Sequence, residues 1–204
     1  MSIERAISAS EIIVLALPSH VVLEVTKIVL PLLRPEHTLV DVVKGIAEDQ
    51  LVSDAINDQK RKAGKENSLA VITGPTIAPE VADGVLTNAL VASEDIQLAE
   101  ELANGLSTET FLLSPANDPR GAELWGAFKN VIALGCGIAD GLPEGSGDNL
   151  KAAIFTVGFS EAKRLMAELG AEPETAYSAA GLGDLFVTAT SSHGRNRTLG
   201  QKLG

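Results

Sequence analysis

The stretch that decides the fold is IIVLALPSHVVLEVTKIVLPLLRP, residues 12–35. It opens with Ile12–Leu17, an almost uninterrupted apolar run that ends at Pro18 and is typical of a strand covered on both faces. Ser19 then has the character of a helix N-cap, and apolar residues recur at helical spacing as far as Pro35. The stretch therefore predicts a strand followed by an amphipathic helix, which is the repeating unit of a parallel α/β sheet.

The same alternation continues to about residue 115 and then gives way to helical patterns alone. From residue 120 onwards the pattern predicts two long helices, the first of them buried nearly all round, followed by shorter ones. We therefore expect an α/β domain over residues 1–116 with a mostly parallel sheet, and an all-α domain over residues 117–204. The further predicted strands are at 38–43, 69–73, 87–92 and 110–113, and the further helices are a mostly exposed one at 50–66 and others at 95–106, 120–142 and 148–169.

Composition and charge exclude several classes of function. The 204 residues include 16 Lys and Arg against 27 Asp and Glu, a formal net charge of −11, whereas nucleic acids and anionic membranes are bound by basic faces. No stretch approaches the ~20 consecutive apolar residues of a membrane span. The single cysteine, Cys136, excludes an internal disulfide and suits a reducing compartment such as the cytoplasm. His20, His37 and His193 stand far apart, so we expect no metal site.

Three glycine clusters resemble the G-x-G-x-x-G turn that holds the pyrophosphate of a dinucleotide. They are Gly135-Cys-Gly137, Gly145-Ser-Gly147 and Gly181-Leu-Gly183, and each lacks the third glycine at the required spacing. None of them follows a predicted strand and opens a helix. We therefore interpret all three as loops or close helix packing, and we expect the main phosphate loop of any dinucleotide site to lie outside this chain.

Polar residues follow two of the predicted strands. Lys44 ends the strand at 38–43 and precedes the flexible Gly45, and Gly74-Pro-Thr76 follows the strand at 69–73. Because open α/β sheets bind ligands at the carboxyl ends of their strands, these residues indicate a crevice at that edge. A solvated lysine and an ordinary turn are the alternatives.

Isolated charges in apolar helical patterns give a second set of candidates. Lys129, with Asn130 beside it, is either a snorkelling lysine or an amine whose pKa burial lowers toward neutrality, where it can exchange protons. Asp184 is a lone carboxylate that needs a partner, for which Lys129 is the candidate. Thr188 lies one turn later on the same face and is a candidate to join that network. Residues 191–197 carry two arginines and predict either a phosphate-binding helix start or an exposed basic loop.

Taken in order, seven blocks of this sequence resemble NAD(P)-dependent glycerol-3-phosphate dehydrogenases over essentially the whole chain. Thr76-Ile77 stands where Ser-Phe is common in that family and Phe128 where Leu is common, and the loop at 143–146 is slightly longer than in many bacterial members; none of these departures removes a reacting group. The blocks are Leu15-Ala-Leu-Pro-Ser-His20, Val42-Val-Lys-Gly-Ile46, Gly74-Pro-Thr-Ile-Ala78, Phe128-Lys-Asn-Val-Ile-Ala133, Gly147-Asp-Asn-Leu-Lys-Ala-Ala153, Gly181-Leu-Gly-Asp-Leu185 and Gly194-Arg-Asn196.

The resemblance implies a role for each candidate. Lys129 is implied to be the catalytic general acid/base, with Asp184 as its catalytic partner, while Arg195 and Asn196 contact the substrate phosphate. The implied substrate-binding residues are Lys44, Gly74, Thr76, Asn130, Thr188, Arg195 and Asn196, and the implied cofactor-binding residues are Pro18, Lys44, Ala78 and Arg195.

The resemblance also implies an activity and its setting. It implies a Rossmann-like domain followed by a helical substrate domain, both incomplete here, and an oxidoreductase that interconverts sn-glycerol 3-phosphate and dihydroxyacetone phosphate with NAD or NADP. Members of the family act in glycerol-phosphate and phospholipid-precursor metabolism in the cytoplasm, and we expect a phosphorylated small-molecule substrate and a homodimer.

Two expectations limit the prediction. Family members begin with the Gly-rich turn, about 60 residues before the strand at Ile12 if each βαβ unit takes about 30 residues, and continue beyond Gly204. The residue that selects NAD or NADP is then absent too, so the choice of cofactor stays open. The alternatives are a related Rossmann-plus-helical dehydrogenase acting on a hydroxy acid and a non-catalytic fragment of such an enzyme.

Overall fold

The computed structural model describes residues 2–191 and 194–204. In these residues the α-helices are α1 (Ile3–Ser8), α2 (Ser19–Val29), α3 (Val52–Lys62), α4 (Ala78–Ala82), α5 (Ile96–Leu106), α6 (Pro119–Gly141), α7 (Asp148–Glu168), α8 (Asp184–Thr190) and α9 (Arg195–Leu203). The strands are β1 (Ile12–Leu15), β2 (Thr38–Asp41), β3 (Ile46–Ala47), β4 (Gln50–Leu51), β5 (Leu69–Thr73), β6 (Thr87–Ala92) and β7 (Phe111–Ala116). Short 3₁₀ turns occupy Leu30–Leu32 and Pro173–Tyr177, and a π-helical turn occupies Ala179–Gly183.

A five-stranded sheet in the order β1-β2-β5-β6-β7 forms the first half of the molecule. β1, β2 and β5 run parallel, and Val40 pairs with Val14 on one side and Ala70 on the other. β6 pairs antiparallel with β5 and parallel with β7. The expectation of a mostly parallel sheet is therefore confirmed, with one antiparallel pairing inside it.

The connection between β5 and β6 accounts for that antiparallel pairing. Parallel neighbours are usually joined by a helix that packs on the sheet as it crosses back. Here the connection contains only the short α4, which buries none of its residues. The chain therefore turns back at the carboxyl end of β5, enters β6 at that same edge of the sheet and runs in the opposite direction.

The helix predicted at 50–66 is shorter and better buried than its composition indicates. It begins at Val52, because Gln50–Leu51 instead pairs with Ile46–Ala47 in a small antiparallel ladder. It ends at Lys62, and one face, including the fully buried Ile56, packs into the core beneath the sheet. The charges on its other face dominate the composition and hide this apolar side.

α6 connects the sheet to the helical half of the chain. Its N-cap Asp118 accepts a hydrogen bond from the backbone N–H of Gly121 at 2.8 Å. Asp118 also accepts one from the hydroxyl of Thr175 at 2.6 Å, which ties down the chain that follows α7. Trp125, 1% exposed, lies at the centre of the core that α6 forms with α7 and α8. α6 is not buried all round as expected, because Val131 is 61% exposed.

The glycine clusters lie where packing or loop geometry requires them. A Cβ on Gly137 would overlap the backbone of Arg197 in α9, and one on Gly181 would overlap the carbonyl oxygen of Ala176. Gly145 and Gly147 have φ values of 74° and 151° in the loop after α6. None of these glycines directly follows a strand, which confirms their interpretation as loop and packing positions.

Candidate active site

Two loops at the carboxyl edge of the parallel strands bring Lys44 and Gly74 together. β2 ends at Asp41, whose Oδ1 accepts the N–H of Val43 at 2.9 Å and turns the chain out of the sheet. Lys44 follows, and its ammonium donates to the carbonyl oxygen of Gly74 at 2.7 Å. Gly74 has φ 154°, and a Cβ there would lie 2.9 Å from the Cα of Ala89, so only glycine fits.

Asp184 receives two ammonium groups at one carboxylate oxygen. Its side chain is 4% exposed at the start of α8, and its Oδ2 forms an ion pair with Lys129 of α6. The same Oδ2 accepts a hydrogen bond from Lys44 at 3.0 Å. The pairing of Lys129 with Asp184 expected from the sequence is thus confirmed, and Lys44 joins it from the sheet.

Burial prepares Lys129 for proton transfer. Desolvation lowers its pKa from 10.5 to about 8, an effect that the attraction of Asp184 opposes and the repulsion of Lys44 reinforces. An amine with such a pKa is mostly protonated at neutral pH and can still release its proton readily. The ion pair also holds the ammonium in one place, since a buried charge needs its partner.

A cavity of about 220 Å³ opens in front of these charges. Its volume is below the roughly 300–1,000 Å³ of drug-sized pockets, so it suits a small ligand. Two lysines and one aspartate line it, leaving a net positive charge that attracts an anion. The lining residues are Lys44, Pro75, Thr76, Ile77, Lys129, Asp184, Val187, Thr188, Ser191 and Gly194.

Two threonines of the cavity wall direct their hydroxyl groups to nearby backbone carbonyl oxygens. Thr188 donates to the backbone carbonyl of Asp184 at 2.6 Å, so it lines the cavity without joining the carboxylate network proposed from its spacing. A threonine in a helix makes this bond to the preceding turn readily. Thr76 contacts the carbonyl oxygen of Gly74 through its hydroxyl at 3.4 Å and its N–H at 2.8 Å.

The start of α9 lies at the rim of the cavity. Asn196 donates to Oδ1 of Asn130 at 2.7 Å and so joins α9 to α6 beside Lys129. Gly194 lines the cavity, and the side chain of Arg195 is exposed without an ion pair to any residue described here. The helix start predicted within residues 191–197 is confirmed, and α9 begins at Arg195.

Two of the residues implied for the cofactor, Pro18 and Ala78, lie outside this cavity but in segments that follow strands of the parallel sheet. Pro18 is the exposed residue before α2, in the loop after β1, and Ala78 is the exposed first residue of α4, after β5. Dinucleotides bind in the crevice outside the carboxyl ends of such strands. Pro18, Ala78 and Lys44 thus all follow strands of this sheet, while neither Pro18 nor Ala78 lines the cavity with Lys129.

Two buried carboxyl groups near the site were missed in the sequence. Asp41 and Glu123 are 0% and 5% exposed, and burial raises the pKa of each to about 7. Glu123 accepts the N–H of Ser53 at 3.1 Å and the hydroxyl of the same serine, so α6 caps α3. Both were detectable as lone carboxylates in apolar segments, the signal that identified Asp184.

Neither a metal centre nor a membrane helix is found in the described ranges. No group of three His, Cys, Asp or Glu side chains there is placed to hold a metal ion, and no helix is both long and apolar enough to cross a membrane. The buried His37 accepts the N–H of Arg34 at 2.9 Å, which is a structural role. His193 lies outside the described residues.

Comparison with known proteins accords with the geometry. Two family models match, the NAD-dependent glycerol-3-phosphate dehydrogenase N-terminus over residues 1–99 and the C-terminus over residues 118–204. A glycerol-3-phosphate dehydrogenase (NAD(P)+) from Clostridium acetobutylicum is 40% identical over 204 residues, covering 99% of this chain and 60% of the relative. One of the same name from Halothermothrix orenii is 43% identical over 202 residues, covering 99% of this chain and 58% of the relative.

A solved structure supports the same assignment. Glycerol-3-phosphate dehydrogenase from Coxiella burnetii superposes with a TM-score of 0.87 at 33% identity, covering 99% of this chain and 61% of that one. The predicted Rossmann-like sheet followed by a helical part is therefore confirmed, and the chain spans about 60% of the length of the curated relatives it matches. These findings favour the glycerol-phosphate family over a hydroxy-acid dehydrogenase, and the chain belongs to the NAD-dependent glycerol-3-phosphate dehydrogenase family.

Proposed function

We propose that the protein interconverts sn-glycerol 3-phosphate and dihydroxyacetone phosphate with NAD(H) or NADP(H). The observation that carries this proposal is the convergence of Lys44 and Lys129 on Asp184 at the wall of a small, positively charged cavity. A ketone that becomes an alcohol needs a proton at its oxygen, and a buried lysine held by a carboxylate is suited to supply it. The relatives named above supply the substrate class.

Lys129 is the proposed acid/base. During reduction its ammonium donates a proton to the oxygen developing at C2, and during oxidation the neutral amine takes that proton back. Asp184 holds Lys129 in position, and Lys44 adds a second positive charge beside the reacting oxygen. The nicotinamide, when bound, supplies or accepts the hydride at C2.

The other residues bind and orient in this scheme. Arg195 and Asn196 are proposed to hold the substrate phosphate at the start of α9, where backbone N–H groups also favour an anion. Gly74, Thr76, Asn130 and Thr188 form or adjoin the wall around the substrate carbons. On the cofactor side the proposed contacts are Pro18, Lys44, Ala78 and Arg195.

We also propose the domain division and the setting. The last strand ends at Ala116 and α6 begins at Pro119, which supports a division into residues 1–116 and 117–204. The cysteine at position 136 is a buried free thiol, as suits the reducing cytoplasm. A homodimer, and a role in supplying phospholipid precursors, are proposed from the family.

Reduction of dihydroxyacetone phosphate tests the proposed function. The protein at its natural length is assayed by the oxidation of NADH and, separately, of NADPH. The Lys129→Met variant is assayed in the same way. We expect this substitution to lower kcat by about 10²- to 10⁴-fold, the usual worth of a general acid. Lys62→Met removes an exposed lysine of α3 as a matched control and leaves kcat unchanged. Wild-type kcat in Lys129→Met, or turnover of a hydroxy acid in place of the phosphorylated substrate, contradicts the proposal.

A further inference from the structure

α6 and α9 pack with their backbones in direct contact. A Cβ on Gly137 or Gly141 of α6 would overlap the carbonyl oxygen of Arg197 or Gln201 in α9. The relation is reciprocal, because a Cβ on Gly200 would overlap the carbonyl oxygen of Leu134 in α6. Two glycines four residues apart on α6 and one glycine on α9 therefore set the distance between the two axes. They provide no polar group that would fix how one helix is rotated or shifted along the other.

A cluster of three charged side chains lies at this contact. Asp140 of α6 forms ion pairs with Lys151 of α7, at 2.6 Å, and with Arg197 of α9, at 2.5 Å. The side chains of Asp140 and Arg197 are 14% and 16% exposed. Burial raises the pKa of Asp140, but the two paired cations outweigh this and hold it below its usual value. These two ion pairs, which solvent reaches little, tie three helices together at one carboxylate.

The cluster lies next to the proposed phosphate-binding residues along the chain. Arg197 belongs to the first turn of α9, two residues after Arg195 and one after Asn196. That turn is therefore held to α6 at two points, through Asn196 to Asn130 and through Arg197 to Asp140. Asn130 adjoins Lys129, so both ties run from the helix that carries the acid/base.

We propose that Arg197, with Asp140 and Lys151, is a positioning residue that sets the placement of Arg195 and Asn196 relative to Lys129. The inference rests on the proposed function and assigns a role to residues that do not contact the cavity. The glycine contacts fix the spacing of α6 and α9, and the ion cluster fixes their register.

The test compares a phosphorylated with an unphosphorylated substrate. In the gene product at its natural length, Arg197→Met is expected to raise KM for dihydroxyacetone phosphate by about 10- to 100-fold, the effect of displacing a binding group by about 1 Å. KM for dihydroxyacetone and kcat should stay within about twofold, because Lys129 is untouched. Arg197→Lys, which keeps the charge, should recover part of the loss. Arg164→Met, at an exposed arginine of α7, is the control.

The outcomes separate this inference from the proposed function. Equal losses with both substrates, or an unchanged KM for dihydroxyacetone phosphate, overturn the positioning role while the activity stands. Absence of turnover by the unsubstituted protein overturns the proposed function. The positioning role is then tested by amide hydrogen exchange, which Arg197→Met should accelerate by about tenfold in α9 and leave unchanged in α5. Unchanged exchange in α9 overturns it.

Discussion

Three carboxyl groups are buried to nearly the same extent but in different surroundings. They belong to Asp184, Asp41 and Glu123. Asp184 accepts two ammonium groups, from Lys44 and Lys129. Asp41 and Glu123 instead accept hydrogen bonds from Val43 and Ser53. Burial raises the pKa of both groups, and the charge of Glu123 raises that of Asp41 further. Without a compensating cation, burial raises the pKa of Asp41 and of Glu123 to about 7.

This difference distinguishes a reactive site, at Asp184, from a structural contact between helices, at Glu123. The charged cluster at Asp184 faces a cavity and presents a lysine of lowered pKa. Glu123 instead caps the start of α3, whose N-cap Leu51 has no side-chain acceptor of its own, and joins the sheet half to α6. Three variants test how far the two regions differ in this way.

The largest effect is expected for Asp184→Ala. The substitution leaves Lys129 buried without its counter-charge, which typically costs about 3–5 kcal/mol of unfolding free energy. Urea unfolding at pH 7 measures this change, with Asp83→Ala at an exposed position as the control. A loss below about 1 kcal/mol would show that the cavity is wet enough to solvate both lysines, and the contrast with Asp41 would disappear.

The double substitution Asp41→Asn with Glu123→Gln should change the pH dependence of stability. Both pKa values are about 7 in the folded protein and lower when it is unfolded, so the folded state binds more protons between about pH 4 and 7. The stability from these groups is complete at low pH and is lost as pH rises to 7. The neutral amides of Asn and Gln do not show this loss. The unfolding free energy of the variant, relative to that of the wild type, should therefore rise by at least about 1 kcal/mol between pH 5 and 8.

Thermal or urea unfolding at a series of pH values measures that gain. A difference between variant and wild type that is constant with pH would mean that Asp41 and Glu123 are already ionised at pH 5.

The smallest effect is expected for Ser53→Ala. It removes the hydroxyl donor to Glu123 and keeps the backbone N–H, so we expect a loss of about 0.5–1.5 kcal/mol. Ser8→Ala, at an exposed serine whose hydroxyl contacts a backbone carbonyl of its own helix, is the control and should stay within about 0.5 kcal/mol. Equal effects in the two variants would argue against a capping role for Glu123.

The sequence predicted local structure well because hydrophobic periodicity is a local signal. It located the strand at Ile12, the buried α6 and the helix start at Arg195 to within a few residues. The antiparallel entry of β6 was not predicted, since it depends on how little a short connecting helix buries. Close packing at the glycines of α6 was predicted, but α9 was not identified as the helix that packs against them.

The site was predicted in part for the same reason. Charge compensation identified the pairing of Lys129 with Asp184, whereas the addition of Lys44 joins residues 140 positions apart and depends on the fold. Thr188 was placed on the correct face with the wrong acceptor, because a helical hydroxyl bonds to the preceding turn more easily than to a committed carboxylate. Asp41 was overlooked inside a strand, although it gives the same signal as Asp184.

Titration of the Lys129 amine tests the central claim most directly. With lysine labelled by ¹³C at the ε-carbon, and its signal assigned by its loss in Lys129→Met, NMR follows the pKa without relying on turnover. We predict a pKa of about 8 and a resonance that shifts when glycerol 3-phosphate is added. A pKa near 10.5 with no response to glycerol 3-phosphate would mean that Lys129 is a solvated lysine remote from any substrate, and would contradict the account.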